Sequence, residues 1–474
     1  MHGMLYLLQK LYNMLRKVFI IAGSLILGLF GCKRAAETRA PGEGSGLKVE
    51  TPAWGKNAAI YELNIRQFTP EGTFNAVRPH LKRLADMGID IIWLMPIHPI
   101  SKTKRKGTLG SYYAVSGYRE VNPEYGTLHD LQLLIADIRN HGMKVLLDWV
   151  PHHTGWDHPW ITEHPEYYSK DSLGNIIDPI NEETGESWGW TDVAELKLDN
   201  QEMRNAMIGD MVYWVQDIGI DGFRVDHAHG LPDDFWDQVS DSLARIGTPL
   251  YMLAEGEDTR LRNKQNFVAT YAWKFHHAMN DVAQGKRTVG IFDTLLERDR
   301  ETYTHGYHMY FTSNHDENSW AGTEMERMGD GHKAFAVLAA TIDGMPLIYS
   351  GQEEPLTKRL EFFEKDTIVW KQYAYEDFYK TLLHLKKRNV ALWNGEHGAL
   401  SQRINAGDRV YAFRRERDGS KVVVILNLSP KAQTTLLTEN TGEMRDVFSG
   451  AITEIKTNTE ITLAPWEYKV LSNK

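Results

Sequence analysis

Short apolar runs alternate with amphipathic stretches along the chain from about residue 57 onward. The runs are rich in Ile, Val, Leu and aromatic residues, a composition typical of parallel strands buried on both faces. They predict strands at 58–65, 89–96, 144–150, 220–226, 250–255, 268–274, 308–313 and 346–350. Eight strands with helices between them favour a (β/α)₈ barrel, and a doubly wound open sheet is the alternative on the pattern alone.

The segments between the runs carry apolar residues at every third or fourth position, which predicts helices with one buried face. The clearest examples are 201–219 and 372–388. Gly88, Gly142 and Gly219 stand where such helices should end before the next strand. No glycine-rich fingerprint follows the first predicted strand, which weakens a dinucleotide-binding open sheet.

Two regions depart from this alternation. Residues 151–198 hold several Trp and Tyr residues among Gly, Pro, His and Asp, and we interpret them as a small insertion domain over the barrel mouth after the third strand. After about residue 390 the pattern becomes all-β, with a predicted hairpin at 409–429 that turns at a glycine. The predicted domains are therefore a catalytic barrel over 53–390 and a C-terminal β-sandwich over 391–474.

Composition narrows the function classes. Hydrophobic residues make up 42% and charged residues 24% of the 474 residues, which excludes a disordered chain, a collagen-like fibre and a polytopic membrane protein. The net charge of −10 argues against nucleic-acid binding, which needs a basic surface. The aromatic content of 11% fits either a large core or surfaces that stack against sugar rings.

The N-terminal residues predict export. A basic pair, Arg16-Lys17, precedes an apolar run of 13 residues at 18–30, which is shorter than the about 20 residues of a membrane span. The run ends at Leu29-Phe30-Gly31-Cys32, which resembles the lipobox of bacterial lipoproteins. The resemblance implies a signal peptide over 1–31, lipidation of Cys32 and a flexible tether over 32–52. The protein is then expected outside the cytoplasm, lipid-anchored to a bacterial membrane in the periplasm or at the cell surface; an uncleaved anchor is the alternative.

Charged residues cluster where the predicted strands end. Asp226, Glu255 and Asp316 follow three different strands, and chemistry in a barrel sits at the carboxyl ends of its strands. Carboxylates held together repel, so one of them should stay protonated, as a general acid requires. Paired carboxylates of this kind suit cleavage of a glycosidic bond.

A metal site is the alternative reading of the same region. Asp148 with His152 and His153, or His227 with His229, could bind a divalent ion. Neither set combines a standard ligand spacing with a supporting Glu, so no catalytic metal is predicted.

Six motifs stand in an order that resembles the α-amylase superfamily of retaining glycoside hydrolases, the glycoside hydrolase family 13 type. They are GSYYAVSGYREVNPEYGT (110–127), DWVPHHT (148–154), GFRVDHAHG (222–230), LAEGED (253–258), FTSNHDENS (311–319) and GMPLIYSGQE (344–353). The resemblance covers roughly residues 57–390, and the C-terminal β-sandwich fits the family by position only.

The resemblance implies a role for each matching residue. Asp226 would be the nucleophile, Glu255 the general acid and then base, and Asp316 the group that stabilises the transition state. Four residues would bind substrate or orient the nucleophile: Tyr113 stacks under the sugar, His153 and His315 donate hydrogen bonds to its hydroxyls, and Arg224 keeps Asp226 ionised. Asp148 would support Arg224 rather than touch substrate.

Three departures from the family pattern also carry information. His152 stands where many amylases have an Asn that binds a structural calcium, so no cofactor is predicted and that calcium is not expected. His229 and Gly230 stand where many amylases have a Lys-His pair that binds the leaving-group side, so subsites +1 and +2 must differ. Gly117 stands where relatives often have Asp.

These observations predict an enzyme that cleaves α-1,4-glucosidic bonds of starch, glycogen or maltooligosaccharides through a covalent glycosyl-enzyme. The expected partners are an α-glucan and a membrane, with no nucleic acid, and the chain is expected to be a monomer. An α-1,6-active or transglycosylating member of the same family is the main alternative, because the motifs do not separate these activities. A non-catalytic glucan-binding protein on the same barrel is the other, since fold alone does not establish activity.

Overall fold

The computed structural model describes residues 48–181 and 184–474. The predicted signal peptide, Cys32 and most of the predicted tether therefore lie outside the described residues. No helix within the described ranges is both long and apolar enough to cross a membrane.

Eight parallel strands form a closed barrel in the order β1-β10-β9-β8-β7-β6-β3-β2. Strand β1 pairs with β2 on one side and with β10 on the other, and this closure excludes the open-sheet alternative. The barrel predicted from the eight apolar runs is thus confirmed. The strands of the first 350 residues, of which β4 and β5 lie outside the barrel, are β1 (Ile60–Leu63), β2 (Ile91–Leu94), β3 (Lys144–Trp149), β4 (His153–Gly155), β5 (Val193–Glu195), β6 (Gly222–Val225), β7 (Tyr251–Ala254), β8 (Ala269–Tyr271), β9 (Tyr307–Tyr310) and β10 (Met345–Tyr349).

Helices occupy the segments that follow most barrel strands. The segment 201–219, predicted as one helix, is an α-helix that continues into a π-helical turn at Trp214–Ile218 and ends at Gly219, whose φ of 86° is left-handed. The α-helices are Ile65–Phe68, Phe74–Val77, Leu81–Met87, Leu128–Asn140, Trp160–Glu163, Gln201–Tyr213, Asp233–Ala244, Thr259–Asn263, Trp273–Ala283, Gly290–Thr302, Glu324–Met328, His332–Thr341 and Glu376–Arg388.

Both faces of the barrel strands are buried, which explains why they are continuous apolar runs. In β2, Ile91 and Trp93 pack inside the barrel, whereas Ile92 and Leu94 pack against the surrounding helices. Successive side chains of a strand point to opposite faces, so an apolar residue is needed at each position.

The insertion segment, defined here as residues 151–198, is built around a small antiparallel pair of strands. His153 in β4 pairs with Glu195 in β5, and the two strands are three residues long. A hydrogen bond of 2.8 Å between the hydroxyls of Thr154 and Tyr168 adds to this pairing.

The C-terminal region is all-β, as predicted, with a six-stranded sheet in the order β11-β12-β13-β18-β15-β16 and a separate β14-β17 pair. Asp418 and Gly419, with φ of 51° and 71°, form the two-residue turn between β12 and β13. Along β13, Val423 and Ile425 pack in the core of this region, while Val424 faces the large core that includes the barrel helices. Its strands are β11 (Gln402–Arg403), β12 (Val410–Arg417), β13 (Ser420–Asn427), β14 (Gln433–Leu436), β15 (Glu443–Asp446), β16 (Ile452–Glu454), β17 (Glu460–Leu463) and β18 (Tyr468–Ser472).

Candidate active site

A cavity of about 470 Å³ opens at the carboxyl ends of the barrel strands. Six of the seven residues predicted to act in catalysis or substrate binding line it, and the seventh, Arg224, is fully buried beside them. The lining residues are Lys106, Ser111, Tyr113, His153, Trp190, Asp192, Val193, Asp226, His227, Glu255, His315, Asp316, Trp320, Phe362 and Phe363. Strand-end residues that are far apart in sequence therefore share one cavity.

The guanidinium of Arg224 connects the carboxylates of three neighbouring strands. Its Nη1 donates to Asp148 Oδ1 at 2.8 Å and to Asp226 Oδ1 at 3.0 Å, and its Nε donates to the Tyr271 hydroxyl at 3.1 Å. Its Nη2 lies 2.9 Å from Glu255 Oε2, as an ion pair without hydrogen-bond alignment. Asp148 is the register partner of Arg224 across β3 and β6, so strand pairing itself brings the two side chains together.

Both carboxylate oxygens of Asp148 accept hydrogen bonds from other side chains of the protein. Besides Arg224, Trp93 Nε1 and the Tyr113 hydroxyl both donate to its Oδ2 at 3.1 Å. Burial raises the pKa of Asp148 to about 6, although Arg224 acts in the opposite direction. Its contacts make it a support for Arg224 and Tyr113.

His315 lies between two carboxylates. Its Nδ1 is 2.5 Å from Glu62 Oε1, its Nε2 is 3.4 Å from Asp316 Oδ2, and its Nε2 also bonds the Tyr113 hydroxyl at 2.8 Å. Burial opposes its charged form, but Asp316 and Glu62 together raise the pKa of His315 to about 9. His315 is thus an imidazolium at neutral pH, with its Nδ1–H directed at Glu62 and its Nε2–H at the Tyr113 hydroxyl beside Asp316.

Glu62 is a functional residue that the sequence analysis missed. It is fully buried in β1, its Oε1 also accepts the backbone N–H of His315 at 3.2 Å, and its Oε2 has no hydrogen-bond partner within the described residues. The available signal was a single charged residue inside the predicted strand 58–65.

The carboxylates that face the cavity differ in charge. Burial, followed by repulsion from Glu255, raises the pKa of Asp226 well above its ordinary value. Burial also opposes ionisation of Glu255, but Arg224 and the N–H of His227 outweigh it and hold the pKa of Glu255 at about 2. His227 donates that N–H at 2.9 Å from the left-handed region, with φ of 48°, which is uncommon for a residue other than glycine. In this side-chain arrangement, ionisation is favoured at Glu255 and opposed at Asp226.

Burial and Glu255 act on Asp316 as well. Burial raises the pKa of Asp316, the charge of Glu255 raises it further, and His315 lowers it. The three carboxylates of the cavity therefore behave as one coupled group, as expected of like charges held in a buried site.

One wall of the cavity is a stack of aromatic rings beside Asp316. Tyr113 stacks on His315 at 5.5 Å and on Phe362 at 6.2 Å, with interplanar angles of 24° and 13°. Trp320 contacts Phe362 at 5.3 Å and is 57% exposed. Flat apolar faces of this kind can stack on sugar rings, and they run from the carboxylates to the surface.

A second wall comes from the insertion segment and reaches His227, whose backbone N–H binds Glu255. The Trp190 ring meets the edge of His153 at 6.0 Å and of His227 at 5.7 Å. Trp188 stacks on Trp190 at 5.9 Å with an interplanar angle of 19°, and it is 47% exposed. The two tryptophans therefore present a continuous aromatic surface that leads out of the cavity.

Lys106 holds this second wall in place. It comes from the loop after β2, donates to the carbonyl of Gly189 at 2.9 Å and lies 3.0 Å from Asp192 Oδ1. Gly189 lies between Trp188 and Trp190, and Asp192 follows Trp190 by two residues, so Lys106 fixes the insertion segment over the barrel mouth.

The histidines named as metal ligands form an imidazole cluster instead. His152 Nδ1 lies 3.4 Å from His153 Nδ1, and the rings of His152 and His227 are 4.8 Å apart. Burial lowers the pKa of His153 to about 3 and that of His227 to about 4, so both are neutral. Across residues 48–181 and 184–474, no three His, Cys, Asp or Glu side chains are arranged to hold a metal ion.

Two family descriptions match the chain. Residues 42–401 match the alpha amylase, catalytic domain, and residues 402–468 match the alpha amylase, C-terminal all-beta domain. Alpha-amylase 2 of Dictyoglomus thermophilum is 24% identical over 441 residues, which cover 85% of this chain and 74% of that protein. The alpha-1,4-glucan:maltose-1-phosphate maltosyltransferase of Picrophilus torridus is 25% identical over 425 residues, covering 80% of this chain and 62% of that protein.

A solved structure is similar over almost the whole described chain. The maltogenic alpha-amylase AmyB from Thermotoga neapolitana superimposes with a TM-score of 0.79 at 27% identity. The match covers 88% of this chain and 98% of that one.

Proposed function

The chain belongs to the α-amylase family of glycoside hydrolases and transferases, and from this membership we propose that it hydrolyses α-1,4-glucosidic bonds of starch, glycogen or maltooligosaccharides with retention of configuration. The observation that carries the proposal is the position of Arg224, which holds Asp226 and Glu255 within 3.0 Å of one guanidinium. Contact of both carboxylates with one guanidinium favours the short separation that direct attack on the sugar requires, rather than the wider one that admits an intervening water.

The first chemical step forms one bond to the anomeric carbon, breaks another and transfers one proton. Asp226 attacks the anomeric carbon, the bond from that carbon to the bridging oxygen breaks, and Glu255 gives its proton to the departing oxygen. In the second step Glu255 removes a proton from water, which attacks the anomeric carbon and releases Asp226. The products are two shorter glucans, with the α configuration kept at the cleaved end.

The reaction needs Glu255 protonated and Asp226 ionised, which is the opposite of what the pKa shifts favour in the free cavity. Arg224 and the His227 N–H hold the pKa of Glu255 at about 2, so Glu255 must leave both groups before it can carry a proton. A sugar oxygen placed between the two carboxylates would draw Glu255 away from Arg224. Asp226 would keep its own bond to Arg224 Nη1 and lose the repulsion of an ionised Glu255, so it would give up its proton and become the nucleophile.

The remaining polar residues are placed to bind the sugar at the reacting carbon. The charged His315 and the Asp316 carboxylate lie beside each other at the cavity wall and can bond to adjacent hydroxyls. Such bonds accelerate the reaction when they strengthen as the ring flattens in the transition state. Tyr113, held by Asp148 and His315, offers the face on which the sugar stacks.

Transfer of the glycosyl group to a second glucan is the alternative function, and one observation favours it. Trp188 and Trp190 lie on the Glu255 side, where the leaving group departs and where an acceptor would bind. An acceptor sugar stacked there would compete with water for the glycosyl-enzyme. The chemistry at Asp226 is the same in both cases, so the product ratio decides between the two functions.

We also propose that the protein acts outside the cytoplasm on a lipid anchor at Cys32, on the basis of the lipobox-like sequence alone. The test is mass spectrometry of the membrane fraction, with Cys32→Ser as the matched variant. A lipidated N-terminal Cys32 is expected, with release or lack of processing in the variant. An unmodified Cys32 within a soluble full-length chain would contradict this proposal.

Product analysis tests the function. Starch, pullulan and maltoheptaose are incubated with the full chain, the products are separated by chromatography, and NMR follows the anomer of the first sugar released. Shorter maltooligosaccharides with an initial α-anomer are expected, and Asp226→Asn should form none. An initial β-anomer would overturn the retaining mechanism. Products longer than the substrate would favour transfer, release from pullulan alone would favour α-1,6 cleavage, and no product from any α-glucan would refute the proposal.

A further inference from the structure

A second cavity, of about 390 Å³, lies beside the start of β9, and it shares no lining residue with the active-site cavity. Its walls come from the helix Gly290–Thr302, the loop 303–306 and the segment that connects the barrel to β11. The reaction proposed above makes no use of it.

Arg262 forms part of this cavity and lacks an ionic partner. Its side chain is almost completely buried, with 3% of the residue exposed, and its guanidinium lies 3.6 Å from the centre of the Tyr303 ring. Its Nε and Nη1 are buried without a hydrogen-bond partner in the described part of the chain. Burial lowers the pKa of Arg262 to about 10, as expected for a cation with little compensation.

The other buried arginines of the described chain are all compensated. Each one donates to or lies beside a carboxylate or several main-chain carbonyls; they are Arg66, Arg204, Arg224, Arg327 and Arg415. Contact with an aromatic ring compensates a buried charge only in part. Arg262 is therefore the buried arginine, within residues 48–181 and 184–474, that still needs an anion.

The carboxylates in the cavity wall do not meet this need: Asp299 acts on Arg262 only from beyond ion-pair distance, and two of the three have a closer arginine. Asp299 lies 3.5 Å from Arg298 and 3.2 Å from His308. Asp343 lies 2.7 Å from Arg300, and Glu396 lies 3.8 Å from His397. Of the two arginines that line the cavity, Arg300 is paired with Asp343, whereas Arg262 forms no ion pair with a carboxylate of the described structure.

We propose that this cavity binds a small oxyanion, a phosphate or a carboxylate, through the guanidinium of Arg262. The planar fork of a guanidinium matches two oxygens of such an anion, and binding would supply the missing charge compensation. The Tyr303 hydroxyl beneath Arg262 donates to the carbonyl of Glu257 at 2.5 Å, so a bound anion would also steady the loop that follows Glu255.

Thermal melting and calorimetry in the absence of glucan test this site. Sodium chloride is replaced stepwise by sodium phosphate or sodium acetate at constant ionic strength, and each anion is also titrated into the full chain. A saturable rise in Tm and one binding event per chain are expected, and the anion that binds more tightly identifies the class. Arg262→Met should melt higher than the natural chain in chloride and bind the anion at least about tenfold more weakly.

Arg245→Met is the matched control, because Arg245 is exposed and outside the cavity, and it should respond as the natural chain does. An equal response of the natural chain and Arg262→Met would show that the anion binds elsewhere. Absence of a saturable response to either anion in the natural chain would overturn the proposal. Because no substrate is present, neither result affects the proposed hydrolysis, and a chain that fails on α-glucans can still pass this test.

Discussion

At the scale of single residues, Arg224 and His315 decide how charge is distributed around the substrate. Arg224 contacts carboxylates from three strands, while His315 carries a positive charge between Glu62 and Asp316. Without these two cations, burial and mutual repulsion would force the carboxylates to take up protons. The site is thus a network of buried charges in which each member depends on the others.

Variants of Asp226 and Glu255 should distinguish nucleophilic attack on the sugar from proton donation to the leaving group. Asp226→Asn is expected to lower kcat roughly a thousandfold or more on every substrate, because it removes the nucleophile. Glu255→Gln should do the same for maltoheptaose but lose much less on maltosyl fluoride, since fluoride departs without a proton. Initial rates on the two substrates check this, with circular dichroism to confirm folding. An equal loss on both substrates in Glu255→Gln would contradict its role as the acid.

Glu62 should stabilise the fold in a defined pH window. The pKa of His315 rises from its ordinary 6.5 to about 9, so this stabilisation is complete below pH about 6.5 and is lost as the pH rises through 9. The difference between these two pKa values, which is the net effect of burial and of attraction to Asp316 and Glu62, corresponds to about 3 kcal/mol. Glu62→Gln should therefore melt well below the natural chain at pH 6 and approach it near pH 10.

The matched control for Glu62→Gln is Glu301→Gln, which alters an exposed side chain outside the site. It should leave Tm unchanged across the same range of pH. A difference between Glu62→Gln and the natural chain that does not vary with pH would mean that Glu62 acts through packing alone.

Single site residues were predictable from the sequence where they stand at the end of a predicted strand. Asp226, Glu255 and Asp316 follow apolar runs, and the parallel barrel brings such ends together. Glu62 escaped notice because it stands inside its run, where one carboxylate has no visible partner in the sequence. Arg262 was not predicted either. Its unusual feature is that two of its guanidinium nitrogens lack a hydrogen-bond partner in the described structure, and only the packed structure shows this.

At the scale of elements, the insertion segment shapes the leaving-group side of the cavity. The family's usual Lys-His pair is replaced here by His229 and Gly230, and the aromatic pair Trp188 and Trp190 lies on the same side as Glu255. The sequence indicated an aromatic excursion after β3, but β4 and β5 are three residues long, too short to leave a periodic pattern. The position of the tryptophans depends on Lys106, which belongs to a different loop.

Trp188→Ala tests this reading. The variant is expected to lower kcat/KM for maltoheptaose roughly fivefold, equivalent to about 1 kcal/mol of lost stacking. It should leave kcat/KM for maltosyl fluoride unchanged, because that substrate places no sugar on the leaving-group side. Leu173→Ala, at a residue that is 85% exposed in the same segment, is the control and should behave as the natural chain. Equal losses of kcat/KM on both substrates would mean that Trp188 does not bind the sugar on the leaving-group side.

At the scale of the whole molecule, closure of the barrel was the step that periodicity could not decide. Eight buried runs fit an open sheet as well as a barrel, because the pairing of β1 with β10 joins positions almost 300 residues apart and leaves no local signal. The barrel was favoured instead by the family resemblance, which rests on six motifs in the same order as in the α-amylase superfamily. The attachment of the C-terminal sheet was also invisible in sequence, since it rests on apolar packing against the barrel helices and on a few buried polar side chains.

Arg415 is the clearest of these attachments, and its removal should loosen the C-terminal sheet from the barrel. It is buried in β12, and its Nη1 donates to the carbonyls of Thr341 at 3.0 Å and Ile342 at 2.7 Å, which end a barrel helix. Arg415→Met would leave these acceptors buried and unpaired, so we expect the free energy of unfolding to fall by about 3 kcal/mol. Arg414→Met is the control, because Arg414 points to the opposite, more exposed face of the same strand. Urea unfolding followed by tryptophan fluorescence measures both, and similar midpoints for the two variants would show that apolar packing alone joins the sheet to the barrel.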